Sequence, residues 1–156
     1  MKILASLTAS LLLFAIVFLW TPPHFWAIAI FRKKEYAAAG FPMMPNVVGD
    51  RATRRQSVAY TVATVLASLA LVPLGLLSGA YGVLAAAVGA WFLIEVVRSV
   101  RADDPRVDWR VFKVSIAYLF AVFGAMLIDC AARAWLGPLP GYAGMLARGL
   151  LARIVI

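Results

Sequence analysis

Residues 20–26, with the sequence WTPPHFW, place the only histidine of the chain, His24, inside a long apolar run. An ionisable side chain within a run of membrane-spanning length is costly and rare, so His24 is a functional candidate by default. A structural alternative is a buried imidazole bonded to a backbone carbonyl that the two prolines leave free. The flanking Trp20 and Trp26 are either ligand-stacking groups or interfacial anchors.

The helical phase predicts which residues share a face with His24. Phe31 follows His24 by seven residues and Glu35 by eleven, and at ~100° per residue both return to within about 20° of the same direction. If the helix continues, His24, Ile28, Phe31 and Glu35 form one stripe, with Glu35 roughly 16 Å from His24 along the axis. Such a stripe suits a substrate with a flat apolar body and an anionic head.

The segment 32–55 after this run is rich in cations and poor in carboxylates. Cationic side chains hold a diphosphate through charge-assisted hydrogen bonds, and a carboxylate such as Glu35 can hold Mg²⁺ that bridges it. The alternative is a plain loop on the positively charged side of a membrane, and one carboxylate is by itself a poor magnesium site. The charged residues of the segment are Arg32, Lys33, Lys34, Glu35, Asp50, Arg51, Arg54 and Arg55.

The composition identifies lipid as the main solvent. Of the 156 residues, 64% are hydrophobic and 14% are charged, whereas soluble domains carry about a quarter charged residues. We predict an all-α, polytopic membrane protein with about four transmembrane helices, over residues 3–31, 57–77, 80–97 and 111–135. Residues 1–136 form the transmembrane domain, and residues 137–156 are expected to be a loosely ordered tail.

The distribution of Lys and Arg predicts the orientation. Six lie in the segment 32–55, five between Arg98 and Lys113, and four elsewhere. The positive-inside rule therefore places loops 32–55 and 98–110 in the cytoplasm. Because the basic residues follow the ends of apolar runs, no nucleic-acid partner is expected.

Several polar residues within the apolar runs are expected to be structural. Ser115 and Tyr118 can make polar contacts between helices, and Glu95 can pair with Arg98 three residues later. The third run is rich in Ala and Gly, which favours close helix packing in lipid.

Residues 18–56, FLWTPPHFWAIAIFRKKEYAAAGFPMMPNVVGDRATRRQ, resemble the haem O synthases (protoheme IX farnesyltransferases), a family of the UbiA prenyltransferase superfamily. That family shows a WTPPHFW segment on a membrane helix, then a basic loop, an acidic residue beside tyrosine, Ala-Gly and a Pro-Met-x-Pro turn. Residues 110–119, RVFKVSIAYL, are similar to the start of the family's last helix. The matches extend to about residue 129 and correspond to the C-terminal half of the family's helical bundle.

The resemblance implies transfer of a farnesyl group from farnesyl diphosphate to a vinyl group of protohaem (haem b), giving haem O, at the bacterial inner membrane. It implies that His24 faces or ligates the haem and that Mg²⁺ assists the diphosphate. The catalytic residues it implies are His24, Lys33 and Glu35, with Glu35 as a candidate metal ligand. The substrate-binding residues it implies are Trp20, Trp26, Arg32, Lys34, Tyr36 and Arg54.

Two departures from the family pattern qualify these expectations. Glu35 stands where the family usually has aspartate, and the family's earlier aspartate-rich loop does not occur in this sequence. We therefore expect the isolated chain to be inactive and to need a separate N-terminal half, with terminal oxidase assembly factors as other possible partners.

Three alternatives stay open at this stage. The chain could be a non-enzymatic haem-binding or oxidase-assembly subunit, or a truncated reading frame without function. It could also be a UbiA enzyme that uses a quinone or chlorophyll precursor, although Ala39 stands where a second acidic residue would be expected.

Overall fold

A computed structural model describes the backbone of residues 2–136 and the side chains of residues 7–135. This part of the chain is helical, with no strand in it. The helices are α1 (Lys2–Phe31), α2 (Lys33–Ala38), α3 (Met44–Val48), α4 (Asp50–Ala70), α5 (Gly79–Ala102) and α6 (Pro105–Leu136). The expected tail at 137–156 lies outside the described residues.

The four long helices form a bundle in which α1 packs against α4 and α6, and α5 packs against the same two helices. The all-α membrane fold predicted from the sequence is confirmed. Side chains from three of the long helices meet in the centre of the bundle. The largest buried apolar ones include Ile16, Phe92, Tyr118 and Val122.

Three segments are long and apolar enough to cross a membrane: Leu7–Phe31, Gly79–Ala102 and Pro105–Trp135. The sequence predicted about four spans, and the remaining long helix, α4, does not reach this apolarity. Its first two turns carry Asp50, Arg51 and further polar residues. One of its faces is also lined with hydroxyl groups.

The polar face of α4 points into the bundle, together with partly buried apolar residues such as Val58 and Val65, and its other apolar residues point outward. Leu66 is 61% exposed, as expected for a side chain whose solvent is lipid. Most of the inner hydroxyl groups donate a hydrogen bond to a backbone carbonyl one turn earlier. Examples are Ser57 to Thr53 at 3.1 Å and Thr64 to Tyr60 at 2.7 Å. The buried polar residues of this face are Thr53, Arg54, Ser57, Thr61, Thr64 and Ser68.

The predicted second span, 57–77, differs from the helix that forms. Helix α4 begins seven residues earlier, at Asp50, and ends at Ala70. Pro73 has no N–H to continue the helical bonds, and Gly75 adopts a left-handed φ of 70°. The amides of Leu76 and Leu77 instead donate to the carbonyl of Leu71, at 3.0 and 3.1 Å, so residues 71–77 form a turn.

The last two long helices, α5 and α6, are longer than the spans predicted for them, 80–97 and 111–135. Helix α5 continues to Ala102, where Asp103 ends it in the left-handed conformation, with φ of 51°. Helix α6 already begins at Pro105, since proline is well suited to the first position of a helix. Both extensions lie in the charged connection, so the charged residues there do not mark the helix ends.

Helix α1 runs through both prolines but ends at Phe31. Arg32 has φ of −102° and ψ of 26°, which interrupts the helix before α2. The stripe from His24 to Glu35 therefore does not form, because Glu35 belongs to a separate short helix. Helix α2 spans Lys33–Ala38 and is followed, after Ala39, by Gly40 with φ of 73°.

Candidate functional site

The imidazole of His24 is held between two aromatic rings from two helices. Trp20, one turn earlier on α1, stacks on one side with ring centroids 4.2 Å apart and planes 19° apart. Phe112 of α6 stacks at 4.7 Å and 23°. The spacing of four residues between Trp20 and His24 brings them onto one face of α1, and that face meets the first turns of α6.

Ser115 of α6 contacts both of these α1 residues. The indole Nε1–H of Trp20 donates to the Ser115 carbonyl at 2.8 Å. The Nδ1 atom of His24 lies 2.8 Å from Ser115 Oγ, and that hydroxyl donates to the carbonyl of Phe112 at 2.7 Å. Ser115 is fully buried. The interhelical contact predicted for it is confirmed, and its partner is the histidine.

The stacking continues from His24 towards the basic loop. Trp109 stacks on Phe112 at 5.1 Å, and Phe31 stacks on Trp109 at 5.0 Å. We call these five rings, Trp20, His24, Phe112, Trp109 and Phe31, the aromatic stack. It joins the loop-proximal halves of α1 and α6, and it ends directly beside Arg32.

Trp26 lies apart from the aromatic stack. Its ring meets Tyr60 of α4 edge to face, at 5.4 Å and 87°. The two tryptophans that flank His24 in the sequence therefore have different neighbours, because positions 20 and 26 are about 120° out of phase on the helix.

The predicted diphosphate-binding cations lie on the exposed segment after α1. Arg32 pairs with Glu35 at 2.9 Å, and Lys33 pairs with Asp50 at 2.8 Å. Lys34 is exposed and makes no ion pair within the described part of the chain. Tyr36 is half-buried in the same short helix. These residues form a solvent-facing group next to the end of the aromatic stack.

Arg54 differs from that solvent-facing group because its side chain is buried. Its side chain is 2% exposed and lies 2.6 Å from Asp108, which is equally buried, with Asp103 as a further partner. Ser99 of α5 also donates to Asp108. Burial by itself would lower the pKa of Arg54, but the hydrogen bonds and negative charges of Asp108 and Asp103 outweigh it and raise the pKa above its usual value.

We call Arg54, Asp108, Asp103 and Ser99 the buried ion cluster. It ties the start of α4 to the end of α5 and the first turn of α6. The family resemblance implied Arg54 as a substrate-binding cation, and the sequence gave no signal for Asp108.

No group of three or more His, Cys, Asp or Glu side chains that could hold a metal ion occurs among residues 7–135. Glu35 supplies one carboxylate, and Arg32 already pairs with it. Magnesium held together with a diphosphate usually takes one or two carboxylates and completes its octahedron with phosphate oxygens and water. Among the predicted site residues, Glu35 is the one that supplies a carboxylate.

An open apolar groove of about 290 Å³ lies along α1 and α6, lined by Val17, Leu119, Phe120 and Phe123. Val17 is one turn before Trp20, and Leu119 is one turn after Ser115. The groove therefore lies beyond the aromatic stack on the side away from the basic segment. A second cavity of about 300 Å³ lies at the far end of α6, beside Asp129 and Arg133.

The fold and this site define a polytopic α-helical membrane protein with a histidine between two helices and a cationic segment at one end. The family model of the UbiA prenyltransferase family matches residues 3–123. The chain therefore belongs to the UbiA prenyltransferase family.

Curated relatives show which members of this family the chain is similar to. The chain is 47% identical over 133 residues to a protoheme IX farnesyltransferase of Rhizobium meliloti, covering 82% of this chain and 42% of that protein. It is 50% identical over 127 residues to protoheme IX farnesyltransferase 1 of Mesorhizobium japonicum, covering 79% and 40%. The chain thus spans about two fifths of the length of these relatives. No solved structure matches the chain.

Proposed function

We propose that this chain forms part of a protoheme IX farnesyltransferase, which transfers the farnesyl group of farnesyl diphosphate to a vinyl group of protohaem. The observation that carries the proposal is the aromatic stack with His24 in it, ending at the cations of α2. A flat apolar ring system would then have a site on α1 and α6, and an anionic head would have a neighbouring site at the cations that follow α1. The similarity to protoheme IX farnesyltransferases supports the same assignment.

The proposed reaction balances with water as the third reactant. The allylic C–O bond of farnesyl diphosphate breaks, and its electron pair leaves with the diphosphate. The vinyl group supplies the electron pair for the new C–C bond, and the resulting cation beside the porphyrin ring takes up water and loses a proton. The products are haem O, diphosphate and one proton.

In this proposal the cations of the exposed segment stabilise the charge that grows on the departing diphosphate. Arg32, Lys33 and Lys34 are suited to this because they are solvent-accessible and adjacent. Glu35 and Tyr36 orient them, as the ion pair between Arg32 and Glu35 illustrates. Arg54 has no free charge to offer, so we assign it a positioning role through the buried ion cluster.

The haem is proposed to lie against His24 and the rings beside it. The apolar groove at Val17 and Leu119 is suited to the prenyl chain, since it lies one turn beyond Trp20 and Ser115 on the same two helices. Trp26, on the other face of α1, would then act on α4 and not on the haem. Magnesium is implied by the family resemblance alone, and no step of the reaction is assigned to it.

We also propose the orientation that the charges favour. With loops 32–55 and 98–110 in the cytoplasm of a bacterium, eleven of the fifteen Lys and Arg residues lie on or next to the cytoplasmic face. The diphosphate would then be bound from the cytoplasmic side of the inner membrane.

The test is farnesyl transfer by the chain in lipid nanodiscs with protohaem, farnesyl diphosphate and Mg²⁺. The reaction is run with and without the N-terminal region of the Rhizobium meliloti relative that this chain does not cover. We expect haem O, identified by mass, when both polypeptides are present and none with this chain alone. Haem bound without transfer in the complete mixture would contradict the proposal and favour a haem-binding subunit.

A further inference from the structure

The hydrogen bonds of Ser115 favour one arrangement of protons on His24. A serine hydroxyl has one proton to donate, and the proton of Ser115 goes to the carbonyl of Phe112 at 2.7 Å. The 2.8 Å contact between His24 Nδ1 and Ser115 Oγ is then a bond that the imidazole donates. Nδ1 of His24 therefore carries a hydrogen.

A neutral imidazole with a hydrogen on Nδ1 has a lone pair on Nε2. Within the described part of the chain, Nε2 makes no hydrogen bond. The two faces of the ring are covered by Trp20 and Phe112, so the ring cannot turn freely. The edge that carries Nε2 points away from Ser115 by the geometry of the ring.

We propose that Ser115 is a positioning residue that fixes His24 as the Nδ1–H tautomer and presents Nε2 as the ligand for the iron of the haem substrate. The inference rests on the proposed function for the identity of the ligand. Metal-binding histidines commonly donate their other N–H to a neighbouring acceptor, which fixes the tautomer and the ring orientation. Here that acceptor is supplied by a different helix from the one that carries the histidine.

Trp20 reinforces the arrangement from the same side. Its indole N–H donates to the carbonyl of Ser115, so the serine and the ring that covers His24 are tied together. This bond holds the backbone of Ser115 against α1 and so keeps its hydroxyl within reach of His24. The tautomer therefore depends on the packing of α1 against α6.

The first experiment reads the tautomer directly and needs no haem. Because His24 is the only histidine, ¹⁵N-histidine labelling of the full chain in nanodiscs gives the signals of one imidazole. At a pH where the ring is neutral, we expect a protonated Nδ1 and an unprotonated Nε2, and a clear increase in the Nε2–H form in Ser115→Ala. A wild-type ring protonated on Nε2 would overturn the proposal, whatever the chain does with haem.

The second experiment titrates the same preparations with protohaem and follows the absorption spectrum. We expect His24→Ala to lose the spectrum of a histidine-ligated iron and added imidazole to restore it. Ser115→Ala should weaken haem binding about 10- to 100-fold, the usual range for loss of such a supporting contact. Ser115→Thr keeps the hydroxyl and should recover most of the affinity.

Ser57→Ala is the matched control, because Ser57 is also a buried serine bonded to its own helix, at 3.1 Å from the Thr53 carbonyl. It should leave both the tautomer and the haem spectrum unchanged. Equal haem spectra and affinities for wild type, Ser115→Ala and His24→Ala would overturn the inference. Failure of farnesyl transfer with these spectra intact would instead overturn the proposed function alone.

Discussion

Lys34 differs from its two neighbours in how much of its charge is already used. Arg32 and Lys33 each have a carboxylate partner within 3 Å, whereas Lys34 is exposed and has no ion pair in the part of the chain that the structure describes. A charge without a competing partner is the most available one for a phosphorylated ligand. The three adjacent cations are therefore not equivalent.

We expect Lys34→Gln to raise the KM for farnesyl diphosphate about tenfold, which corresponds to about 1.4 kcal/mol and is typical of a lost hydrogen bond to a charged group. The measurement is the rate of farnesyl transfer by the reconstituted mixture as a function of farnesyl diphosphate. Arg101→Gln removes an exposed cation from the other charged connection and should change KM little. Equal effects of the two changes would assign the Lys34 effect to general surface charge.

At the same scale, the sequence singled out His24 and its flanking tryptophans, and the structure places the ring of Trp20 against that of His24. Phase on one helix accounts for this contact, because both residues lie on one face of α1. Phase does not reveal which other helix meets that face, so the role of Ser115 was visible only as an unspecified polar contact. Phase also separates Trp26 from that face, but it does not reveal that Tyr60 of α4 is its neighbour.

Between helices, the closest packing is where Gly89 of α5 faces Val65 of α4. A Cβ atom added at Gly89 would lie 2.8 Å from one methyl group of Val65 and 3.0 Å from the other. A branched side chain of a neighbouring helix cannot give way cheaply at that distance. Gly89 therefore sets the separation of α4 and α5, as expected for small residues in membrane helices.

Gly89→Ala is expected to destabilise the chain by about 1–3 kcal/mol, the usual cost of overpacking. Unfolding by SDS in mixed micelles, followed by circular dichroism, measures the change. The double variant with Val65→Ala should recover much of the loss. Gly124→Ala is the control on α6, where an added Cβ meets nothing within 4 Å, and destabilisation there by the same amount would contradict this explanation.

The buried ion cluster acts between elements as well, since it connects α4, α5 and α6 at one end of the bundle. Asp108 lies one residue before Trp109 of the aromatic stack. Loss of the buried ion cluster is therefore expected to disturb the aromatic stack, although no residue of the cluster contacts His24.

Arg54→Ala should lower the free energy of unfolding by about 3–5 kcal/mol, because it leaves buried Asp108 without its charge partner. The same SDS titration measures it. Arg55→Ala, which removes the adjacent exposed arginine, should change stability by less than about 0.5 kcal/mol. Similar losses for the two variants would show that the cluster does not stabilise the bundle.

The pH dependence of this contribution follows from the sign of the shift. The pKa of Arg54 in the folded chain is raised above its ordinary value. Stability from its charged form is then fully present below that value and is lost only as the pH rises through the folded pKa. Arg54 should therefore contribute no change in stability between pH 6 and pH 9.

For the whole molecule, the predicted orientation can be tested with cysteine labelling. Cys130 is the only cysteine, so Cys130→Ser provides a background for single cysteines at Lys34 or Arg101. Both are expected to be blocked by a membrane-impermeant reagent only after the inner membrane is opened. Labelling of either position from the periplasm in intact spheroplasts would contradict the orientation.

The class of the whole fold could be predicted from composition, since so apolar a chain must use lipid as its solvent. The helix ends could not, because the charged residues that bounded the predicted spans lie within α5 and α6. Helix α4 shows the same limit in another form. Its buried hydroxyls lower its apolarity in a sequence scan, although they face the other helices and not the lipid.

The inward-facing hydroxyls of α4 also bear on how the chain is assembled in the cell. A segment with Thr61, Thr64 and Ser68 on one side and two arginines in its second turn partitions poorly into a bilayer when it enters alone. Helix α5 follows after the short turn at 71–77 and carries the apolarity that α4 lacks. Biogenesis of this chain is therefore expected to insert α4 and α5 together as a hairpin, with the later helix drawing the earlier one into the bilayer.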